Sequence, residues 1–145
     1  MSLPQVDGWV IDFRTAISIF ESNSNERINH LIERCENNTL KICHCEEQVF
    51  KGAEIVKGPF IIDNNCVYEP DSSVFQRCET ISVAPNGKQL LQGNESAIYI
   101  TAIALEENFG VISNHRSPIF DTVYDLCASY GVPVYSADEY FSQFN

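Results

Sequence analysis

Residues 93–144, GNESAIYITAIALEENFGVISNHRSPIFDTVYDLCASYGVPVYSADEYFSQF, decide the fold. They read as helix, strand, helix, strand, helix, with a start or stop signal at nearly every junction. Gly93-Asn94-Glu95-Ser96 opens a helix running to Asn108 that is apolar over most of its circumference (Ala97, Ile98, Ile100, Ala102, Ile103, Leu105), as a central helix should be. Gly110 is expected to close it, and Val111-Ile112-Ser113 to form a short buried strand delivering Asn114-His115-Arg116 at its carboxyl end. Ser117-Pro118 starts the next helix, with proline at its first position. Its inner stripe is Ile119, Val123, Leu126, Cys127 and Tyr130, and Gly131 stops it. Val132 to Tyr135 makes the last strand, and Ser136 with Glu139 forms a capping box for the terminal helix. Such alternation predicts an α/β fold of three layers, α/β/α, around a mostly parallel central sheet.

Working back toward the amino terminus, Trp9-Val10-Ile11-Asp12-Phe13 is a near-continuous apolar run ending in a carboxylate, as in strands buried on both faces. A short helix is expected over Thr15 to Phe20. Asn23 and Glu26 mark the start of a second, whose face is Ile28, Leu31, Ile32 and Cys35, ended by Asn37-Asn38. Leu40 to Cys45 reads as a strand, and Glu46 to Val56 as a helix with Val49, Ala53 and Val56 inward. The stretch from Gly58 to Gly93 is the least legible. Ile61-Ile62 and Ile81-Ser82-Val83 suit short strands, and Asp63-Asn64-Asn65, Glu69-Pro70-Asp71 and Pro85-Asn86-Gly87 suit turns. No repeat or linker interrupts residues 1–145, so one domain is expected.

Composition narrows the function. The net charge of −11 argues against a protein that coats nucleic acid with lysine and arginine, and it suits a basic protein partner. It is compatible with a nuclease, since carboxylates that recruit a divalent cation are acidic until the ion reverses the local field. No apolar run of 18 residues predicts a membrane span, and the start lacks the pattern of a secretory signal, so a cytoplasmic protein is expected. The six cysteines are expected to be reduced thiols. Cys43-His44-Cys45 is not the usual zinc hook and no second hook follows. On a strand, Cys43 and Cys45 would share one face.

Three acids are expected where strands meet helices: Asp12 after the first strand, Glu47 (with Glu46 and Glu54 as alternatives) after the second, and Glu95 at the start of the apolar helix. In open α/β sheets, sites form outside the carboxyl ends of strands. Hard cations such as Mg²⁺ take oxygen ligands, commonly one or two carboxylates with water and substrate phosphate.

This layout resembles the PIN domain family of metal-dependent ribonucleases, which includes many toxins of toxin–antitoxin pairs. Val10-Ile11-Asp12-Phe13-Arg14-Thr15-Ala16 is similar to the family's opening strand, and Gly93-Asn94-Glu95-Ser96-Ala97-Ile98 to the segment bearing its third acid. Val111-Ile112-Ser113-Asn114-His115-Arg116 resembles the strand carrying its last acid. Gly131 to Val134 and Ser136 to Tyr140 resemble its closing strand and helix.

The resemblance implies an Mg²⁺- or Mn²⁺-dependent endoribonuclease with Asp12, Glu47 and Glu95 on the metal and Asn114 or Asp121 completing the site. It also implies an RNA substrate, a basic antitoxin-like partner and a homodimer. Two residues depart from the pattern: His115 stands where the family has an acid, and Phe13 where it has a small polar residue. They motivate a second reading, a PIN-fold binding module without catalysis that acts through a protein partner. Its candidate contact surface is the aromatic tail Tyr135, Tyr140, Phe141 and Phe144. A receiver-like phosphoacceptor using Asp12 or Asp63 is the third reading, disfavoured because no lysine follows Val111-Ile112-Ser113.

Overall fold

The computed structural model describes residues 4–53, 66–82, 95–114 and 123–144, without the side chains of residues 82, 95 and 144. In chain order these are β1 (Gly8–Ile11), α1 (Phe13–Glu21), α2 (Asn25–Glu36), β2 (Leu40–Cys43), a 3-10 turn (His44–Glu46) and α3 (Glu47–Gly52). Then come β3 (Val67–Tyr68), α4 (Ser72–Ser82), α5 (Glu95–Glu107), β4 (Phe109–Ile112), α6 (Val123–Ser129), β5 (Val134–Tyr135) and α7 (Ala137–Phe141), with a closing 3-10 turn (Ser142–Phe144).

The five strands lie in the order β3-β2-β1-β4-β5, and every pairing is parallel. The chain thus steps outward from β1 to β3, returns across the sheet to β4, and steps outward again to β5. Right-handed crossovers running in opposite directions place their helices on opposite faces. The core divides accordingly. Trp9, Ile11, Ile42 and Ile112 face one cluster with residues of α1, α2, α3 and α7. Val10, Cys43 and Val111 face the other with α4, α5 and α6. Alternate residues of each strand point to alternate faces, so one apolar run serves both layers.

Two local details fix the centre of the sheet. Trp9 lies opposite Gly110 in the ladder, and a β-carbon on Gly110 would sit 2.5 Å from the Trp9 ring. Gly110 is therefore an interior strand residue that admits the indole, not the helix stop expected from the sequence. Asn108, at φ 56°, turns the chain out of α5 instead. At α6, Gly131 has φ 75°, the left-handed conformation that glycine adopts without steric cost, and it ends the helix as expected.

The middle of the chain departs most from expectation. Ile81 and Ser82 belong to α4, not to a strand. Asp71 starts this helix: its carboxylate accepts the backbone N–H groups of Ser73 and Val74. Ser24, not Asn23, caps α2. In α3, Phe50 is the fully buried residue while Val49 is 49% exposed. The terminal capping box of Ser136 and Glu139 forms as expected. The aromatic tail, however, is core: Tyr140 is fully buried, Phe141 nearly so, and Tyr140 meets Trp9 edge-on with ring centroids 5.0 Å apart. That removes Tyr140 and Phe141 as an exposed docking surface. The side chain of Phe144 lies outside the described set, as do residues 54–65, 83–94 and 115–122, so the readings made there have no counterpart.

Candidate active site at the sheet switch point

The order of strands reverses between β1 and β4, and crevices at such a point bind ligands in doubly wound sheets. Ile11 pairs with Ile112, so the next residues, Asp12 and Ser113, leave the two strands at the same level. Both are buried, at 3% and 0% exposure. The Ser113 hydroxyl donates to Asp12 Oδ2 across the switch point. Asp12 Oδ1 accepts the Thr15 backbone N–H at 2.8 Å, which makes Asp12 the N-cap of α1. Each carboxylate oxygen holds one donor and keeps a second lone pair.

Asn114 ties this level to two helices. Its backbone N–H donates to Thr15 Oγ1 at 2.8 Å, and its amide nitrogen reaches Ser18 Oγ at 3.3 Å. Its amide oxygen accepts the Ala137 N–H at 2.7 Å, at the start of α7. That oxygen, expected to face a metal or a water, is engaged by the backbone. Asn114 is a clasp in this arrangement.

The second acid beside Asp12 is Glu46. The strand expected to reach Cys45 stops at Cys43, and the 3-10 turn that follows swings Glu46 toward α1. Glu46 Oε1 accepts the Phe13 N–H at 3.2 Å. Two carboxylates thus serve the open N–H groups of a single helix end, where the dipole favours negative charge. Burial, and then the charge of Asp12 and the thiol of Cys45, push the Glu46 carboxyl up to about 8, against the smaller opposing pull of the Phe13 N–H. The bulky Phe13 has a role here. Its ring meets Phe50 edge-on at 5.1 Å, which locks α1 against α3 and fixes the turn carrying Glu46.

Glu47, the expected second acid, is turned away. One residue further along a helix is a rotation of about 100°, and Glu47 Oε2 pairs with Lys51 Nζ at 3.1 Å on the surface of α3. Glu95 does begin α5, but its side chain is not described. The neighbouring Ser96 is 3.7 Å from Cys45 through its hydroxyl, so the start of α5 stands close to the turn that carries Glu46. Asp121, His115, Arg116 and Glu54 lie outside the described residues. Thr15 and Ser113 were missed in reading the sequence. Counting the β1–β4 register would have found Ser113, because it places residue 113 level with residue 12.

Among the described residues, no group of three or more His, Cys, Asp or Glu side chains could hold a metal ion. Asp12 and Glu46 make two hard oxygen donors. A pair of carboxylates with the remaining positions open to water and phosphate is the kind of set Mg²⁺ accepts. Burial first, and the neighbouring Asp12 charge second, keep a proton on Glu46 near neutral pH, and a cation bound between the two carboxylates would favour its release. All six cysteines are thiols, as expected, and no described helix is long and apolar enough to cross a membrane. The sequence matches no protein-family model and no curated protein.

Proposed function

We propose that this protein is a PIN-like, Mg²⁺- or Mn²⁺-dependent ribonuclease whose metal-binding acids are Asp12 and Glu46, with Glu95 as the third. The observation carrying this reading is the convergence of Asp12 and Glu46 on the first turn of α1, beside the switch point, with the Glu46 proton held up to about 8. A carboxyl perturbed by burial and by a neighbouring charge at such a position is characteristic of sites built for chemistry. A divalent cation bound there supplies Lewis acidity toward a phosphate oxygen and a water nucleophile. The protein's own contribution is positional. Ser113 and the Thr15 N–H hold Asp12 from opposite sides, and the Phe13 N–H orients Glu46. Glu46 must release its proton before it can bind a cation, so cation binding and proton release are coupled at this site.

The toxin role and a basic antitoxin-like partner belong to the same proposal, supported by the net charge of −11. A second reading, a PIN-fold binding module without catalysis, is favoured by the capture of the Asn114 amide oxygen by Ala137. Cleavage of a mixed RNA in Mn²⁺ separates the two. The nuclease reading expects cleavage that EDTA abolishes and that Asp12→Asn lacks while remaining folded. Cleavage surviving in Asp12→Asn, or a folded wild type that neither cleaves RNA nor binds millimolar Mn²⁺, overturns it.

A further inference from the structure

The turn that carries Glu46 also carries two sulfurs. Cys43 is the last residue of β2 and is fully buried, whereas Cys45 lies in the 3-10 turn and is exposed. Their Sγ atoms are 3.0 Å apart. Disulfide formation requires about 2.05 Å, so the two sulfurs need to close by roughly 1 Å. Each residue of the turn is held by a contact. The His44 ring stacks edge-on against Tyr99 at 4.7 Å, the Cys45 thiol reaches Ser96, and Glu46 grips the Phe13 N–H.

We propose that Cys43 and Cys45 are a reversible oxidation site, and that closing their disulfide re-aims the turn and withdraws Glu46 from the Phe13 N–H. The oxidant is hydrogen peroxide. The exposed Cys45 sulfur attacks a peroxide oxygen: an S–O bond forms, the O–O bond breaks, and the leaving oxygen departs as water with the Cys45 proton. Cys43 sulfur then attacks the Cys45 sulfenic sulfur: the S–S bond forms, the S–O bond breaks, and the hydroxyl leaves as water with the Cys43 proton. Two thiols are oxidised and one peroxide is reduced to two waters.

With one residue between the cysteines, the closed ring is small, and its geometry departs from that of a relaxed disulfide. Strained, exposed disulfides are the readily reduced ones, which suits a switch better than a staple. Glu46 is the next residue of the same short turn, so the backbone change that brings the sulfurs together is transmitted to its carboxylate. The consequence for catalysis rests on the nuclease reading. The disulfide and the movement of Glu46 do not.

The test uses the full chain, reduced and then treated with hydrogen peroxide. The expected result is loss of the mass of two hydrogen atoms, a disulfide mapped to Cys43 and Cys45, and a several-fold faster hydrogen exchange at the Phe13 amide, all restored by a dithiol reductant. Cys45→Ser should show neither the disulfide nor the change at Phe13. A disulfide mapped instead to the buried neighbours Cys35 and Cys66 or to Cys78 overturns the proposal. So does over-oxidation of Cys45 without a disulfide, or a Cys43–Cys45 disulfide that leaves the Phe13 amide unchanged. None of these readouts involves RNA or a metal ion, so failure here is separate from failure of the nuclease reading.

Discussion

Two neighbouring junctions of this molecule occupy equivalent places and behave differently. Asp12 follows β1 and Glu46 follows β2, both at carboxyl ends of adjacent parallel strands, and both bond to the start of α1. Asp12 leaves its strand directly into a helix cap and takes a donor on each oxygen, one from α1 and one from Ser113 across the sheet. Glu46 is reached through a 3-10 turn and, among the described residues, receives a single backbone donor while facing the charge of Asp12. The difference teaches that strand-end position does not by itself define an acid's chemistry. Surroundings do: at Glu46 burial, and after it the charge of Asp12, hold the proton on against the weaker pull of the Phe13 N–H.

The largest effect that could break this comparison is the loss of Asp12. Asp12→Ala leaves the Thr15 N–H and the Ser113 hydroxyl without their acceptor in a buried place. It should lower unfolding free energy by about 2–4 kcal/mol, read by urea denaturation. Asp12→Asn keeps an acceptor for Thr15 and should cost about 1 kcal/mol; on the nuclease reading it also reduces RNA cleavage at least about a hundredfold. A fold indifferent to Asp12→Ala would show that the donors are not essential to the junction.

Glu46 should behave in the opposite sense. Its carboxyl is raised from an ordinary 4.5 to about 8, so the folded protein holds a proton there that the unfolded chain has already released. Stability is therefore fullest below the ordinary value and declines as pH rises through the window up to about 8. Glu46→Gln keeps an acceptor for Phe13 and removes the decline. It should be more stable than wild type by on the order of 2 kcal/mol at about pH 9 without metal, and equal to it near the ordinary carboxylate pKa. Paired thermal melts at the two pH values give the answer.

The same proton competes with a cation. Calorimetric titration with Mg²⁺ should show affinity falling by up to about tenfold per pH unit as pH drops below about 8, with proton release on binding. Binding independent of pH would mean that Glu46 is not a ligand.

The smallest effect is expected at Glu47. Its ion pair with Lys51 is solvent-exposed, and Glu47→Ala should change stability by about 0.5 kcal/mol or less; on the nuclease reading it leaves RNA cleavage intact. Loss of cleavage in that variant would restore Glu47 as the second acid.

Much of the architecture was legible, for identifiable reasons. Short apolar runs such as Trp9 to Ile11 and Val111-Ile112, bounded by turn and cap residues, suit strands buried on both faces, and the all-round apolar α5 suits a central place. The capping box at Ser136 is a local signal with a local consequence. The failures were tertiary. Gly110 looked like a helix stop because nothing local reveals that Trp9 lies against it. The tail Tyr140-Phe141 looked exposed because a five-residue helix gives little periodicity from which to find its inner face. α4 was missed because its fully buried residues, Val74 and Ile81, are only two and an exposed apolar residue, Phe75, blurs the contrast between its faces.

At the site, Asp12 was placed correctly at the end of β1, but choosing between Glu46 and Glu47 depended on where β2 stops. Residues Cys43 to Cys45 give no sign of that, since Cys-His-Cys suits a strand as well as a turn. Ser113 and Thr15 bear no signal as single residues. They acquire meaning only through the β1–β4 register and the N-terminal turn of α1.

The most direct test of the acid pair is a carbon-detected NMR titration of the Glu46 carboxyl, with and without Mg²⁺, using Glu46→Gln to assign the signal. The expected midpoint is about 8 without the ion, with a marked fall when Mg²⁺ is added. A midpoint in the ordinary carboxylate range, or one that Mg²⁺ leaves in place, would contradict that expectation.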